Sequence, residues 1–179
     1  MSPDALALAR DLLGQTLASD IGGERVCGVI TETEAYLGVN DPASHAWRGR
    51  RHRLNAGIYA APRTWYVYRS YGIHWCVNLT TGSTGLGAAV LIRAVRPTQG
   101  IDVMRVRRGG VPDRRLTDGP GKLTQAFAIT GEHDGMRATR SATLRVHGKS
   151  PRNARGDVIV TPRIGITRAA DWPLRFLLG

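Results

Sequence analysis

Three side chains spaced two apart, Glu32, Glu34 and Tyr36, stand in an alternating segment that reads as a long strand from Arg25 to Leu37. An extended chain has a period of two, so these three project from one face while Thr31, Thr33 and Ala35 face the other. The chain holds four glutamates, and the remaining two, Glu24 and Glu132, fall in glycine-flanked loops. A carboxylate pair in mid-strand of a basic protein suits a general base, and it equally suits ion pairing with an arginine on an adjacent strand. Arg93 is the obvious cation. It interrupts the otherwise apolar run Ala88–Val95, where a charge must be paired or must face a polar pocket, and Glu34 is a reasonable partner. Asn78 ends another strand pattern with an amide that either discriminates hydrogen-bond patterns or caps the strand end.

The elements around these groups begin with a hairpin. Strand-compatible runs from Trp65 to Arg69 and from Ile73 to Leu79 leave only Ser70, Tyr71 and Gly72 for the reversal, with Gly72 able to take the positive φ that tight hairpin turns need. Tyr71 therefore sits at the tip. Either the ring folds back on its own sheet or it is a wedge for something made of stacked rings and phosphates, such as duplex DNA. The charge supports the wedge: Lys+Arg total 25 against 14 Asp+Glu, a net +11, and 23 of the cations are Arg, the better fork for phosphate oxygens. Arg48, Arg50, Arg51 and Arg53 form the densest cluster, in a glycine-containing loop.

A chain of 179 residues with 42% hydrophobic content fits a single domain spanning 1–179. Ala5–Gly14 carries charges within its apolar run and reads as an amphipathic helix, capped by Asp4 and stopped at Gly14, rather than a signal peptide or membrane span. Cys27 and Cys76 lie in apolar strand patterns without a CxxC pair, so no disulfide framework, zinc site or other metal site is indicated, and a reducing cytoplasm is the expected compartment. Further strands are expected at Ala88–Val95, bounded by Gly87 and Pro97, and at Thr143–Val146, Val158–Thr161 and Ile164–Thr167. Short helices are expected at Gly100–Val106 and Gly121–Ile129. Hairpins without a βαβ rhythm indicate an α+β fold around a largely antiparallel sheet.

Taken in order, Thr33–Gly38 (TEAYLG), Asp41–His45 (DPASH) with Arg48-Gly49, Tyr66-Val-Tyr68, Tyr71-Gly72, Cys76-Val-Asn78, Leu91–Arg93 with Pro97, Gly119–Leu123 (GPGKL) and Pro162–Ile166 (PRIGI) with Trp172–Phe176 (WPLRF) resemble the alkyladenine (3-methyladenine) DNA glycosylases. The resemblance spans nearly the whole chain. It implies a single domain with a curved antiparallel sheet, flanking helices and a protruding hairpin that inserts into DNA. It also implies an enzyme that flips alkylated or deaminated purines out of duplex DNA and hydrolyses the N-glycosidic bond, acting as a monomer without cofactor, metal or membrane. Carried over by position, Glu34 is the base that activates water, with Arg93 and the backbone carbonyl of Ile164 helping to hold that water. Tyr36 and Tyr68 stack on the flipped base, His45 contacts its edge, and Asn78 obstructs the 2-amino group of guanine. Tyr71 fills the gap in the stack, and Ile73, His74, Arg48, Arg50 and Lys122 complete the DNA-contacting set.

The loop Arg48–Gly57 departs from the family's pattern, since a Thr-Pro-Arg-Asn run is common there, and Ile73 and His74 are variable positions; loop phosphate contacts and lesion preference are what these changes bear on. Other classes weighed are a non-catalytic damaged-DNA-binding domain, which would not need Glu34, and an RNA-binding domain of similar topology, which would lack the TEAY strand. A glycosylase-lyase would need an amine nucleophile, and only Lys122 and Lys149 supply one besides the N-terminus.

Overall fold

The computed structural model describes residues 4–139, 141–148 and 158–179. Helix α1 (Ala5–Leu12) starts where the Asp4 carboxylate accepts from the Ala7 N–H at 2.7 Å, and the chain turns out of it at Gly14, φ 78°. Strands β1 (Thr16–Ser19), β2 (Val26–Tyr36), β3 (Trp65–Ser70), β4 (His74–Thr81) and β5 (Ala88–Gln99) follow. Next come α2 (Ile101–Arg107), α3 (Pro120–Ala126), β6 (Leu144–His147), β7 (Ile159–Thr161) and β8 (Arg175–Leu177). The strands form one open antiparallel sheet in the order β3-β4-β5-β2-β1-β6, mixed with helices. β2 carries β1 beside its first half and β8 beside Glu32–Glu34, with β7 beyond β8.

The period of two gives this sheet two distinct faces. Trp65, Val67, Val77, Leu79, Val90, Ile92 and Ala35 point into the hydrophobic core, which α1 covers with Leu8 and Leu12, and α3 with Leu123, Phe127 following at its C-terminal end. Each large side chain fully buried there contributes roughly 1.5–3 kcal/mol. Thr33 also faces the core, where its hydroxyl donates to the Ala9 carbonyl at 2.9 Å and ties β2 to α1. The residues between these, from Tyr66 through Arg93, are left to the opposite face.

Several expectations from sequence are corrected. Ile164–Thr167 is a bend rather than a strand: the Ile164 N–H donates to a glutamate side chain instead of a ladder, and Gly165 takes φ 75°. The strand of that region is instead β8, formed from Arg175–Leu177. β5 does not stop before Pro97 but runs on to Gln99, and the missing proline N–H is tolerated because the register shifts at Cys27/Gly28 opposite it. α3 ends at Ala126 rather than Ile129, since Ala128 takes φ 56°. β1 has no signature in the sequence, since four residues are too few for alternation to register.

Candidate active site

Two compensating irregularities in the β2–β5 ladder build the centre of the site. Ile30 pairs with Val95 and Glu32 with Ala94, so Thr31 is an extra residue on β2; Thr33 pairs with Ile92, so Arg93 is an extra residue on β5. Bulges of this kind re-aim side chains. Here they turn Glu32, Glu34 and Arg93 toward one another on the face opposite the core. Glu34 is fully buried, and its Oε1 accepts from the Ile164 N–H at 2.8 Å with Arg93 Nη1 at 3.3 Å. Its Oε2 accepts from the Tyr36 hydroxyl at 2.9 Å. Arg93 Nε donates to Glu32 Oε1 at 2.8 Å. The expectation of a carboxylate pair beside Arg93 and the expectation of ion pairing thus describe the same arrangement.

Arg93, Tyr36 and Ile164 line a cleft of about 480 Å³, and Glu34, bound to all three, lies buried behind them. Cross-strand pairing explains the rest of its lining: Tyr66 lies opposite Asn78, Tyr68 opposite Cys76, Asn78 opposite Leu91, and Tyr36 opposite Ala89, so all of them share the face of Glu34. Tyr66 and Tyr68 stack with centroids 5.4 Å apart, and the His45 ring meets Tyr68 edge-on at 4.4 Å. His45 Nδ1 lies 2.7 Å from the Tyr66 hydroxyl, while the rest of the ring is open to the cleft. Burial lowers the His45 pKa, with the nearby His52 acting in the same direction, which favours the neutral ring. Burial also raises the pKa of Tyr36, Tyr66 and Tyr68, Glu34 adding to the effect at Tyr36, so all three stay protonated at neutral pH. Asn78 is buried, and its Nδ2 donates to the Tyr66 carbonyl at 3.1 Å.

Tyr71 and Ile164 complete the mouth. The hairpin turn places both Tyr71 (φ 51°) and Gly72 (φ 69°) in the left-handed region, the pattern of a type I′ turn, closed by Ile73 N–H to the Ser70 carbonyl at 3.0 Å. The Tyr71 ring is 87% exposed, so it is not folded back on its sheet. Ile164 is held by a device that sequence reasoning missed. Arg163 and Asp41, both wholly buried, form a two-bond fork at 2.5 and 2.9 Å. The same guanidinium donates to the Ala35 carbonyl at 3.1 Å and lies 4.6 Å above the Tyr36 ring. Asp41 also accepts from the Leu37 and Ala43 N–H groups, fixing the loop that carries His45. Tyr66 was likewise not singled out as a pocket residue, although its alternation with Tyr68 was the available signal.

Other expected residues lie outside this cleft. Ile73 and His74 line a second hollow of about 290 Å³ with Trp75 and residues of α3. Lys122, on α3, pairs through Nζ with Asp118 just before the helix at 2.9 Å. Arg48, at φ 56°, lies over the Trp47 ring, and the Arg50 side chain is exposed while its carbonyl accepts from Asn55 and Tyr59. Lys149 lies outside the described residues. No helix among the described residues is long and apolar enough to cross a membrane.

The family model of methylpurine-DNA glycosylase matches residues 1–179. A protein of Carboxydothermus hydrogenoformans is 44% identical over 98% of this chain and 90% of its own length. One from Methanoculleus marisnigri is 44% identical over 98% and 90%, and one from Rhodopseudomonas palustris 46% identical over 94% and 79%. The names of all three include the words 3-methyladenine DNA glycosylase. With a match that runs the length of the chain, and relatives at this identity, the chain belongs to the methylpurine-DNA glycosylase family.

Proposed function

We propose that this protein is a monofunctional glycosylase that flips alkylated or deaminated purines from duplex DNA, the class of 3-methyladenine, 7-methylguanine, hypoxanthine and ethenoadenine, and hydrolyses the N-glycosidic bond with water activated by Glu34. The observation that carries this reading is a fully buried carboxylate held by three residues that line an aromatic cleft, through the Arg93 guanidinium, the Ile164 N–H and the Tyr36 hydroxyl, beside an exposed hairpin tip. Alkylation at N3 or N7 gives the purine a positive charge, which weakens pairing, improves the leaving group and favours stacking on the faces of Tyr36 and Tyr68. Neutral lesions need selection by shape and edge hydrogen bonds, the work assigned to His45 and Asn78. As the bond breaks, positive charge gathers on the sugar, and water attacks C1′ while giving its proton to Glu34. Arg93 and the Ile164 carbonyl hold that water in this reading. Tyr71 occupies the gap left in the stack, and the arginine-rich loop with Ile73, His74 and Lys122 contacts the duplex as the protein acts as a monomer.

The test is Glu34→Gln, assayed for single-turnover excision and for affinity to a lesion-bearing duplex. Excision is expected to vanish with affinity retained, because the base acts in the transition state while the cleft supplies the binding. A rate above about a tenth of wild type, a loss of less than about 1.4 kcal/mol of barrier, would move the base elsewhere. In the same assay the abasic product should stay uncut until alkali is added, and borohydride should trap no protein–DNA adduct; a trapped adduct would end the monofunctional reading.

A further inference from the structure

We infer that Glu32 and Arg175 are positioning residues for the chemical step and act through Arg93, an inference that rests on the reading of Glu34 as the base. The four side chains form a chain of alternating charge, Arg175–Glu32–Arg93–Glu34, with exposures of only 19, 14, 12 and 0%. Glu32 Oε1 is its hinge. It accepts from Arg93 Nε at 2.8 Å and from Arg175 Nε at 2.5 Å. Arg175 stands directly opposite Glu34 in the β2–β8 ladder, yet its guanidinium reaches past Glu34 to Glu32, and its Nη1 donates to Thr161 on β7 at 3.2 Å.

The arrangement matters because of what an unrestrained Arg93 would do. Guanidinium and carboxylate prefer a two-bond fork, and Arg163 makes one with Asp41 in this same protein. Arg93 does not make one with Glu34. Its Nε edge is bound by Glu32, its closest approach to Glu34 is Nη1 on Oε1 at 3.3 Å, and Oε2 accepts from the Tyr36 hydroxyl. Removing Glu32 frees Arg93 to close over both Glu34 oxygens and occupy the position from which water would be activated. Arg175 holds Glu32 from the far side, and without it the Glu32 carboxylate can follow Arg93 into the cleft.

Single-turnover excision with enzyme in excess, and affinity for a duplex carrying a non-hydrolysable lesion analogue, separate this role from plain stabilisation. Glu32→Gln and Arg175→Met are each expected to lower the rate constant tenfold or more with affinity within threefold of wild type. Arg175→Lys should recover most of the rate, because an ammonium still pairs with Glu32. The Glu32→Gln/Arg175→Met double variant should lose little more than the worse single variant, as two members of one unit do. Folded Glu32→Gln working within threefold of wild type overturns the inference, as do losses shared equally by rate and affinity and following melting temperature. If Glu32→Gln does not fold, the Arg175 pair decides: Lys well above Met supports positioning, and equal rates refute it. Glu34→Gln is run alongside. Activity there defeats the base reading itself, whereas an inactive Glu34→Gln beside a fully active Glu32→Gln defeats only the positioning role.

Discussion

At the scale of single residues, the site is governed by which buried polar groups have partners. Asp41 and Arg163 are 122 positions apart and wholly buried, so neither charge tolerates loss of the other. Asp41→Asn is expected to cost about 3–5 kcal/mol of stability, because an uncompensated guanidinium would remain in the interior. Chemical denaturation measures this, and a loss below about 1 kcal/mol would show that Arg163 escapes to solvent. His45 gives a pH-dependent prediction. Its folded pKa lies below the ordinary 6.5 because burial penalises the imidazolium. The unfolded chain therefore takes up the proton first, and what neutral His45 contributes is complete above pH 6.5 and declines as pH falls below it. The ring is open to the cleft, so the effect on melting is small and its NMR titration is the sharper measurement; a midpoint at or above 6.5 contradicts the burial argument. Glu34, Tyr36 and Arg93 were legible in the sequence because alternation and an out-of-place charge expose them. Asp41 and Arg163 were visible only as parts of motifs, since each looks like an ordinary loop residue until the other is brought to it.

At the scale of elements, the hairpin was the most legible feature, because a run of aromatic and β-branched residues ending at Tyr71-Gly72 leaves no other place to turn. The bulges at Thr31 and Arg93 were not legible: a one-residue shift in pairing belongs to two strands at once, and neither sequence records it alone. The Ile164 bend was hidden for a similar reason, because its backbone is bound by a side chain from β2 rather than by a neighbouring strand. Gly38 marks another unseen contact, since a Cβ there would lie 2.4 Å from the Leu86 carbonyl oxygen at a backbone φ of 79°. The hairpin carries its own prediction. Tyr71 is almost fully exposed in a left-handed conformation that costs a tyrosine more than a glycine, so the turn is built around the ring at some expense to itself. Tyr71→Ala should leave the melting temperature within a degree or two of wild type. It should weaken base flipping by roughly 1–3 kcal/mol, the worth of a stacking contact, seen as a smaller fluorescence change of a reporter base beside the lesion. A marked drop in melting temperature with normal flipping per folded molecule would remove the wedge from the mechanism.

At the scale of the whole molecule, composition announces an excess of cations but not where they stand. Among the described residues, six arginines answer carboxylates: Arg93 and Arg175 on Glu32, Arg163 on Asp41, Arg25 and Arg145 together on Asp20, and Arg105 between Asp102 and Asp113. Two guanidiniums hold the Asp20 carboxyl down at about 2. The Arg48–Arg53 cluster has no carboxylate partner among the described residues, and it shares its loop with His45 and Ile58 of the cleft wall. Charge left uncompensated beside the cleft predicts that affinity and chemistry respond differently to salt. Duplex binding should weaken with ionic strength at a log–log slope of about −0.9 per phosphate contact, and Arg48→Ala and Arg50→Ala should each make that slope shallower by about one. The single-turnover rate at saturating enzyme should change less than about twofold from 50 to 200 mM salt, because Glu34 and Arg93 are shielded from mobile ions. Filter binding and rapid quench over one salt series measure both quantities. A rate constant that falls in step with affinity would mean that the loop arginines act in the chemical step, and a slope untouched by either substitution would place the phosphate contacts on another surface.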